Sequence, residues 1–419
     1  MKRILSVCAA LGVCLFTGCY DAIFQGIRGE VPLESSTVPG NINSIVRFQD
    51  NSTEYLFMQN GAIQYKKAAD AFHGAWKDAP NTPPPLSYDY YSSSFKGMYF
   101  IKVASDTDYV YALGYTLKQN NESGRNVPSA LKLYCCQNVG GQWTEVSGIN
   151  TAIADYLSKI HSSALTDASV HLFCTNAPNP THRKAYIRIG GGGASSAKAN
   201  TTYGDTSAGN YGVIELGGTD TKAVPIAKGE KGAGLNTFSA VSLGESVLFL
   251  DYLAAATDET AEKDASYVYY ASSTDLYSFA VSDYKSAPAD FNNYWKNGKT
   301  KPVTLKSSNM ETSSAIVSLA VTGDSVLLGS NGNGIYRVTR KANGAVAAST
   351  SDFSTNAPDI MYSPYIVRTL FCSNPHQIET EASLYAALQF RRTAAGASAN
   401  YANVGLWSYY PARRNWNRE

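Results

Sequence analysis

Apolar residues along this chain come in runs of four to eight, separated by short polar turns, from Ile45 to the C-terminus. The runs alternate or are apolar throughout, and they are rich in Tyr, Val and Thr. That pattern predicts half-buried and fully buried strands. One segment departs from it. Over residues 151–160 the apolar positions Ala152, Ile153, Tyr156, Leu157 and Ile160 keep a helical period, which predicts one short helix inside a loop.

The runs fall into types that recur in a fixed order. One type occupies residues 54–58, 108–113, 169–174, 246–250, 325–329 and 383–388. Similar turns precede four of these: Thr166-Asp167-Ala168, Leu243-Gly244-Glu245, Thr322-Gly323-Asp324 and Thr380-Glu381-Ala382. A second type follows at 61–65, 130–134, 275–279, 334–338 and 405–409; in the third repeat either 184–189 or 212–216 fills this place. A third type carries Trp76, Trp143, Trp295 or Trp416. Another apolar run precedes the first type, at 45–48, 98–103, 238–243, 315–320 and 366–371. Asn60-Gly61, Asn331-Gly332 and Asn333-Gly334 accept positive φ at low cost and predict tight hairpins.

Four strands repeated six times, about 66 residues apart, resemble a β-propeller. A four-stranded sheet with two apolar faces cannot bury both alone; sheets packed face to face around an axis can. Ile335 and Arg337 would then face one neighbour, and Tyr336 and Val338 the other. The resemblance implies an all-β fold over residues 43–419, with six four-stranded blades. Seven or eight blades, or stacked β-sandwiches, are the alternatives. Propeller repeats of about 40–50 residues are shorter than these. The excess is assigned to loops at 81–94, 190–210 and 254–264. The ring would close by packing of blades, or by an added strand from residues 22–36.

The N-terminus reads differently. Met1-Lys2-Arg3 is followed by an apolar stretch from Ile4 to Phe16 and then by Thr17-Gly18-Cys19. The apolar stretch is shorter than the roughly 20 residues needed to span a bilayer as a helix, so it is read as a targeting signal. Its end resembles a bacterial lipobox of the looser, spirochaete-like kind, with Phe16 where Leu, Val or Ile is usual. The resemblance implies a signal peptide over residues 1–18, lipidation of Cys19 by acyl chains such as palmitate, and a lipidated tether over 19–42 rich in Gly, Pro and Ser.

Composition adds mainly exclusions. A formal net charge of +1 and only 16% charged residues leave no basic stripe for nucleic acid and no acidic block. Four cysteines follow the anchor: Cys135, Cys136, Cys174 and Cys372. They lack metal spacing, and buried free thiols are the expectation, with a Cys174–Cys372 disulfide as the alternative.

The candidate chemistry is sparse. No catalytic residue, metal or cofactor is assigned. His171 lies between Val170 and Leu172 and reads as structural; His182 and His376 read as polar loop residues. Gly190–Gly193 lacks the helix and Lys-Ser or Lys-Thr of a phosphate loop. Asp106-Thr107-Asp108 lacks the rest of a calcium loop and reads as a solvated turn. Asn51-Ser52-Thr53 and Asn200-Thr201-Thr202 match glycosylation sequons, which carry little weight in a bacterial export pathway. Tyr267, Tyr269 and Tyr270 surround one strand, and Tyr88, Tyr90 and Tyr91 sit in an insertion that also holds Pro83-Pro84-Pro85. Tyrosine offers broad amphipathic contact at low entropic cost. Tyr88, Tyr90 and Tyr91 are therefore the candidate ligand-binding residues. The expectation is a membrane-anchored envelope protein that binds or scaffolds a protein or other macromolecule. An envelope hydrolase, lyase or dehydrogenase using a central channel, and a surface adhesin or antigen, are the alternatives.

Overall fold

A computed structural model describes residues 38, 40–70, 75–89, 91, 94–119, 126–159, 170–174, 180–189, 212–218, 246–252, 266–272, 274–280, 303–304, 315–341, 346–353, 362–373, 377–379, 381–390, 404–411 and 415–419. The leader, Cys19 and nearly all of the tether lie outside them, as do Tyr90, the loops 190–210 and 254–264, and the sequon at Asn200.

The described chain is all-β apart from one helix and two single turns of 3-10 helix. The first sheet is an antiparallel meander of β1 (Ile45–Asp50), β2 (Thr53–Gln59), β3 (Ile63–Lys67) and β4 (Lys77–Asp78). A two-stranded ribbon follows, β5 (Ser87–Asp89) and β6 (Ser94–Lys96). The second sheet holds β7 (Tyr99–Ser105), β8 (Val110–Gln119), β9 (Asn126–Cys136) and β10 (Thr144–Glu145). Helix α1 (Ser147–Lys159) lies where the helical period was read, and its Ile149 and Ile153 are buried.

The third sheet contains β11 (Val170–Cys174), β12 (Ala185–Ile189) and β13 (Gly212–Glu215). The two candidates for one place in this repeat are thus successive strands. The fourth has β14 (Ser246–Tyr252), β15 (Ser266–Ser272), β16 (Asp275–Ala280) and β17 (Val303–Thr304). Here and in the third sheet the recurrent strand type comes first among the described strands rather than second. The tyrosine-rich β15 takes second place, and the run containing Trp295 lies outside the described residues. The fifth set is β18 (Ile316–Val321), β19 (Ser325–Asn333), β20 (Ile335–Arg340) and β21 (Val346–Asp352). The sixth is β22 (Tyr362–Cys372), β23 (Leu384–Phe390), β24 (Gly405–Tyr410) and β25 (Asn415–Arg418). Asn331-Gly332 and Asn333-Gly334 lie between the paired Gly329 and Ile335 with both glycines at positive φ, so they turn the chain from β19 into β20 as expected; Asn331 and Asn333 also pair with Ile366 and Tyr362 of β22, which links the last two sets.

Period-two alternation sends successive side chains of a strand into different cores. Val110 and Ala112 of β8 pack with Phe48 and Phe57 of the first sheet, whereas Tyr111 and Leu113 pack with Leu172 and Ile187 of the third. In β20, Tyr336 and Val338 join Tyr269 and Leu276 of the fourth sheet, and Ile335 joins Trp407 of the sixth. Arg337 keeps the expected alternation: it is half-buried and pairs with Glu379 of the β22–β23 connection, on the side of the set that Ile335 meets. In β23, Leu384, Ala386 and Leu388 face the fifth sheet, while Tyr385 and Ala387 meet Ile45, Leu56 and Met58 of the first. The first, second, fifth and sixth sheets therefore bury both faces. Each fully buried Leu, Val or Phe contributes on the order of 1.5–3 kcal/mol, which is the main source of cohesion between sheets.

The first and sixth sheets are also tied by polar groups. Lys66 of β3 bonds Glu419 at 2.9 Å. The backbone N–H of Val38 donates to the Glu419 carbonyl at 2.9 Å. Arg47 of β1 donates to the carbonyls of Cys372 and Ser373, and the Thr369 hydroxyl donates to the Ile42 carbonyl at 2.8 Å.

Candidate binding surface

The first residues singled out by composition, Tyr88 and Tyr91, belong to the β5–β6 ribbon. After β4 the backbone N–H of Ala79 still donates to Ile63, and the chain then leaves the sheet through Pro83, Pro84 and Pro85. Proline removes the N–H that would prolong a ladder, so the segment turns outward. It is caught again at Met98, whose N–H donates to Pro84 while its carbonyl accepts from Leu86.

Between those anchors the ribbon is amphipathic. Tyr88 pairs across with Phe95, and their rings meet edge to face at 5.0 Å between centroids. Ser87↔Lys96 and Asp89↔Ser94 form the other face. The Asp89 carboxylate accepts from the Tyr91 N–H at 2.9 Å and pairs with Lys96 at 2.6 Å, which holds the turn. Tyr91 is fully exposed and Tyr88 is 38% exposed; with Ile378 they are the exposed large hydrophobic residues of the described chain. Packing against Phe95 orients Tyr88 while leaving part of it open, so the ribbon presents aromatic surface on a fixed base.

Gly97 sets that base. Its φ of +82° is one that side-chain-bearing residues rarely adopt, and a Cβ there would collide with the carbonyl oxygens of Pro84 and Pro85. Gly97→Ala is expected to destabilise the ribbon locally by about 1–2 kcal/mol or more, from the left-handed backbone alone. Amide exchange confined to residues 84–98 would read this out. Unchanged protection there would show that the ribbon does not depend on this glycine. Neither Phe95 nor Gly97 was singled out from sequence; the Lys96-Gly97 pair after Phe95 was the available turn signal.

The other candidates have structural partners. Asp108 is exposed and Thr107 half-buried, as expected of a solvated turn, but Asp106 is buried. Its carboxylate accepts from the N–H groups of Asp108 (2.8 Å) and Tyr109 (2.6 Å) and from the Tyr111 hydroxyl (2.6 Å). Those donors replace water as the sheets close over the turn. Burial raises the Asp106 pKa above the usual carboxylate range, and burial also raises that of Tyr111. His171 is half-buried and stacks on Phe173 at 5.8 Å. His73, His161 and His376, the His182 side chain and Gly190–Gly193 lie outside the description. Tyr269 is buried, and its hydroxyl accepts from Arg340 at 2.8 Å. Asn51 occupies the β1–β2 turn at φ 54°.

Cys135, Cys136, Cys174 and Cys372 are outside any disulfide. Cys372 lies in the core of the fifth and sixth sheets, whereas Cys174 packs beside the second-sheet cores, so the alternative bridge is not formed. Burial pushes the Cys135 thiol up to about 12, which leaves little nucleophilic thiolate. Among the described residues no group of three or more His, Cys, Asp or Glu could hold a metal ion, and no helix is long and apolar enough to cross a membrane.

Fold and site together define an all-β protein whose sheets stack face to face and which presents one aromatic ribbon to solvent. No protein-family model matches the chain, and no curated protein does. Among solved structures it is similar to U3-55K (TM-score 0.35, 11% identity, 89% of this chain and 96% of that one). It is similar also to the SapL1 lectin in complex with alpha methyl fucoside (TM-score 0.34, 11% identity, 90% of this chain and 93% of that one). A glycosyl hydrolase from Bacteroides ovatus is a third (TM-score 0.31, 8% identity, 90% of this chain and 86% of that one). Likenesses this slight bear on neither the activity nor the details of the fold.

Proposed function

We propose that the chain is a lipid-anchored envelope protein that binds and scaffolds, with the ribbon around Tyr88, Tyr90 and Tyr91 as its recognition element. The domain from residue 43 is read as a closed six-bladed β-propeller. Support for closure comes from the core shared by the first and sixth sheets, and from sheets buried on both faces. The anchor is supported by Thr17-Gly18-Cys19 after a charged start and an apolar stretch too short to span a bilayer.

The observation that carries the binding role is the exposure of Tyr88 and Tyr91 on a base held by Met98, Phe95 and Gly97. Aromatic groups already held in place lose little entropy when a partner covers them. The test is purification of the full-length chain from gently solubilised membranes. A stoichiometric companion (protein, glycan or lipid) is expected with the wild type. Its recovery should fall at least about tenfold in the Tyr88→Ala, Tyr91→Ala double variant, because an interfacial tyrosine hot spot is worth roughly 2 kcal/mol. Full recovery with an intact fold would remove the ribbon from the binding surface. A Cys19→Ser chain that stays firmly in the membrane fraction would overturn the anchor.

A further inference from the structure

The end of the domain where the chain enters from Cys19 is also the end that bears the ribbon. In an antiparallel meander, the second-to-third turn and the connection to the next sheet lie at one end, and the first-to-second turn lies at the other. Gly40 sits against Asn60, in the second-to-third turn of the first sheet: a Cβ added to the glycine would lie 3.3 Å from the Asn60 carbonyl oxygen. Gly61 of that turn bridges to Phe100. Two residues before Phe100, Met98 holds Pro84 and Leu86 at the foot of the ribbon. Val38 pairs with Glu419, just beyond β25, and with Leu406 near the start of β24, both at this same end.

From this juxtaposition we propose that Tyr88 and Tyr91 rest in the headgroup interface of the bilayer that holds Cys19, so that the surface met by the recognition ribbon is lipid. The inference rests on the anchor and the ribbon of the reading above. Eighteen residues lie between Cys19 and Val38, so the two are at most about 65 Å apart along extended chain. The shortest path from the membrane into the fold brings this end against the lipid. Tyrosine suits that depth: its ring sits among the upper acyl carbons and glycerol while its hydroxyl bonds headgroups. Lys118 is exposed at the far end of β8, which packs with β6, and supplies a cation at headgroup level, whereas Lys96 of β6 is balanced by Asp89. The remaining large exposed apolar residue, Ile378, lies in the β22–β23 connection at the opposite end.

The experiment uses the full-length acylated chain in vesicles of phosphatidylcholine and phosphatidylglycerol with brominated acyl chains. Tyr91→Trp and Ile378→Trp are compared, each by difference from the parent protein. Emission from the tryptophan at 91 is expected to be blue-shifted and quenched severalfold more than that at 378. Equal or absent quenching, with the chain floating with the vesicles, overturns the proposal. If position 91 instead crosslinks to a protein in native membranes, the lipid partner is excluded and the recognition role of the ribbon stands. An unacylated Cys19 overturns both the anchor and this inference.

Discussion

Glu419→Ala is expected to destabilise the fold by about 3–5 kcal/mol, more than loss of an exposed ion pair could. The Lys66 side chain is 1% exposed and that of Glu419 10%. The ammonium lies 4.9 Å from the Trp76 ring centre and 4.8 Å from that of Tyr385, and one carboxylate oxygen accepts from both Lys66 and Trp76. Removing the carboxylate leaves a buried cation with the two aromatic faces and the weaker attraction of Asp70. The double variant Lys66→Met, Glu419→Ala should recover most of the loss, because the methionine packs against the same rings without a charge to desolvate. Chemical denaturation of the two single variants and the double variant measures this. A Glu419→Ala chain as stable as wild type would show that the pair contributes nothing to closure.

Linkage makes the same group visible by pH. Burial lowers the Lys66 pKa, partly offset by Glu419. Between the folded value and the unfolded value near 10.4 the unfolded chain binds more protons, so this residue's contribution to stability rises with pH across that window. Buried tyrosine and cysteine groups with raised pKa values act in the opposite direction, since they favour the folded state only until they ionise in the unfolded chain. The difference between wild type and Lys66→Met isolates the lysine, and it should move in favour of wild type as pH approaches 10.

Arg47→Ala is expected to cost a similar amount, on the order of 3–5 kcal/mol, by removing the donor to the buried Cys372 carbonyl and to the half-buried Ser373 carbonyl, at roughly 1–3 kcal/mol each, and the packing between them. Arg47 is 3% exposed, donates from Nε to Ser373 at 2.6 Å and from Nη2 to Cys372, and lies 5.1 Å from the Phe371 ring centre. Arg47→Lys keeps the charge but not the planar fork, so it should restore only part of the loss. Hydrogen exchange should show first opening along β1, β22 and β23, where the first and sixth sheets meet. Uniform loss of protection across all sheets would show that Arg47 does not act at that seam. Arg47 and Lys66 flank Leu56 in register, and the rings they lie over, Phe371 and Tyr385, are cross-strand partners. The two variants thus probe neighbouring contacts of one interface.

Both ties join residues more than 300 apart in sequence. Their placement explains why the first and sixth sheets can share a core without exchanging a whole strand. Among the described residues, Val38 alone adds a backbone contact beside Glu419 and Leu406. Two local electrostatic locks, the hydrogen bonds from Thr369 to Ile42 and from Arg368 to Asn43, the apolar core of Ile45, Leu56, Met58, Tyr385 and Ala387, and this short contact do the joining.

By itself, the sequence determined what short-range chemistry can specify. Alternating apolar residues with β-branched and aromatic side chains specify strands, a helical period specifies α1, and Asn60-Gly61 specifies a hairpin. The order of strands in the first, second, fifth and sixth sets was legible for that reason. In the third and fourth sheets it was not, because strands buried on both faces look alike whether first or second, and pairing alone distinguishes them. Tyr88 and Tyr91 were legible as candidates, since a proline-rich insertion offers little core for clustered tyrosines. Their exposure was decided by Phe95, by Gly97 against the prolines and by Met98. Lys66 carried no signal in the linear chain, and Asp106, an aspartate in a polar turn, read as solvated. Trp76, Tyr385 and Glu419 bury the one, while Tyr111 and two backbone N–H groups satisfy the other. Burial is a property of what packs over a residue, and here much of that covering comes from distant parts of the chain, so only the assembled sheets could decide it.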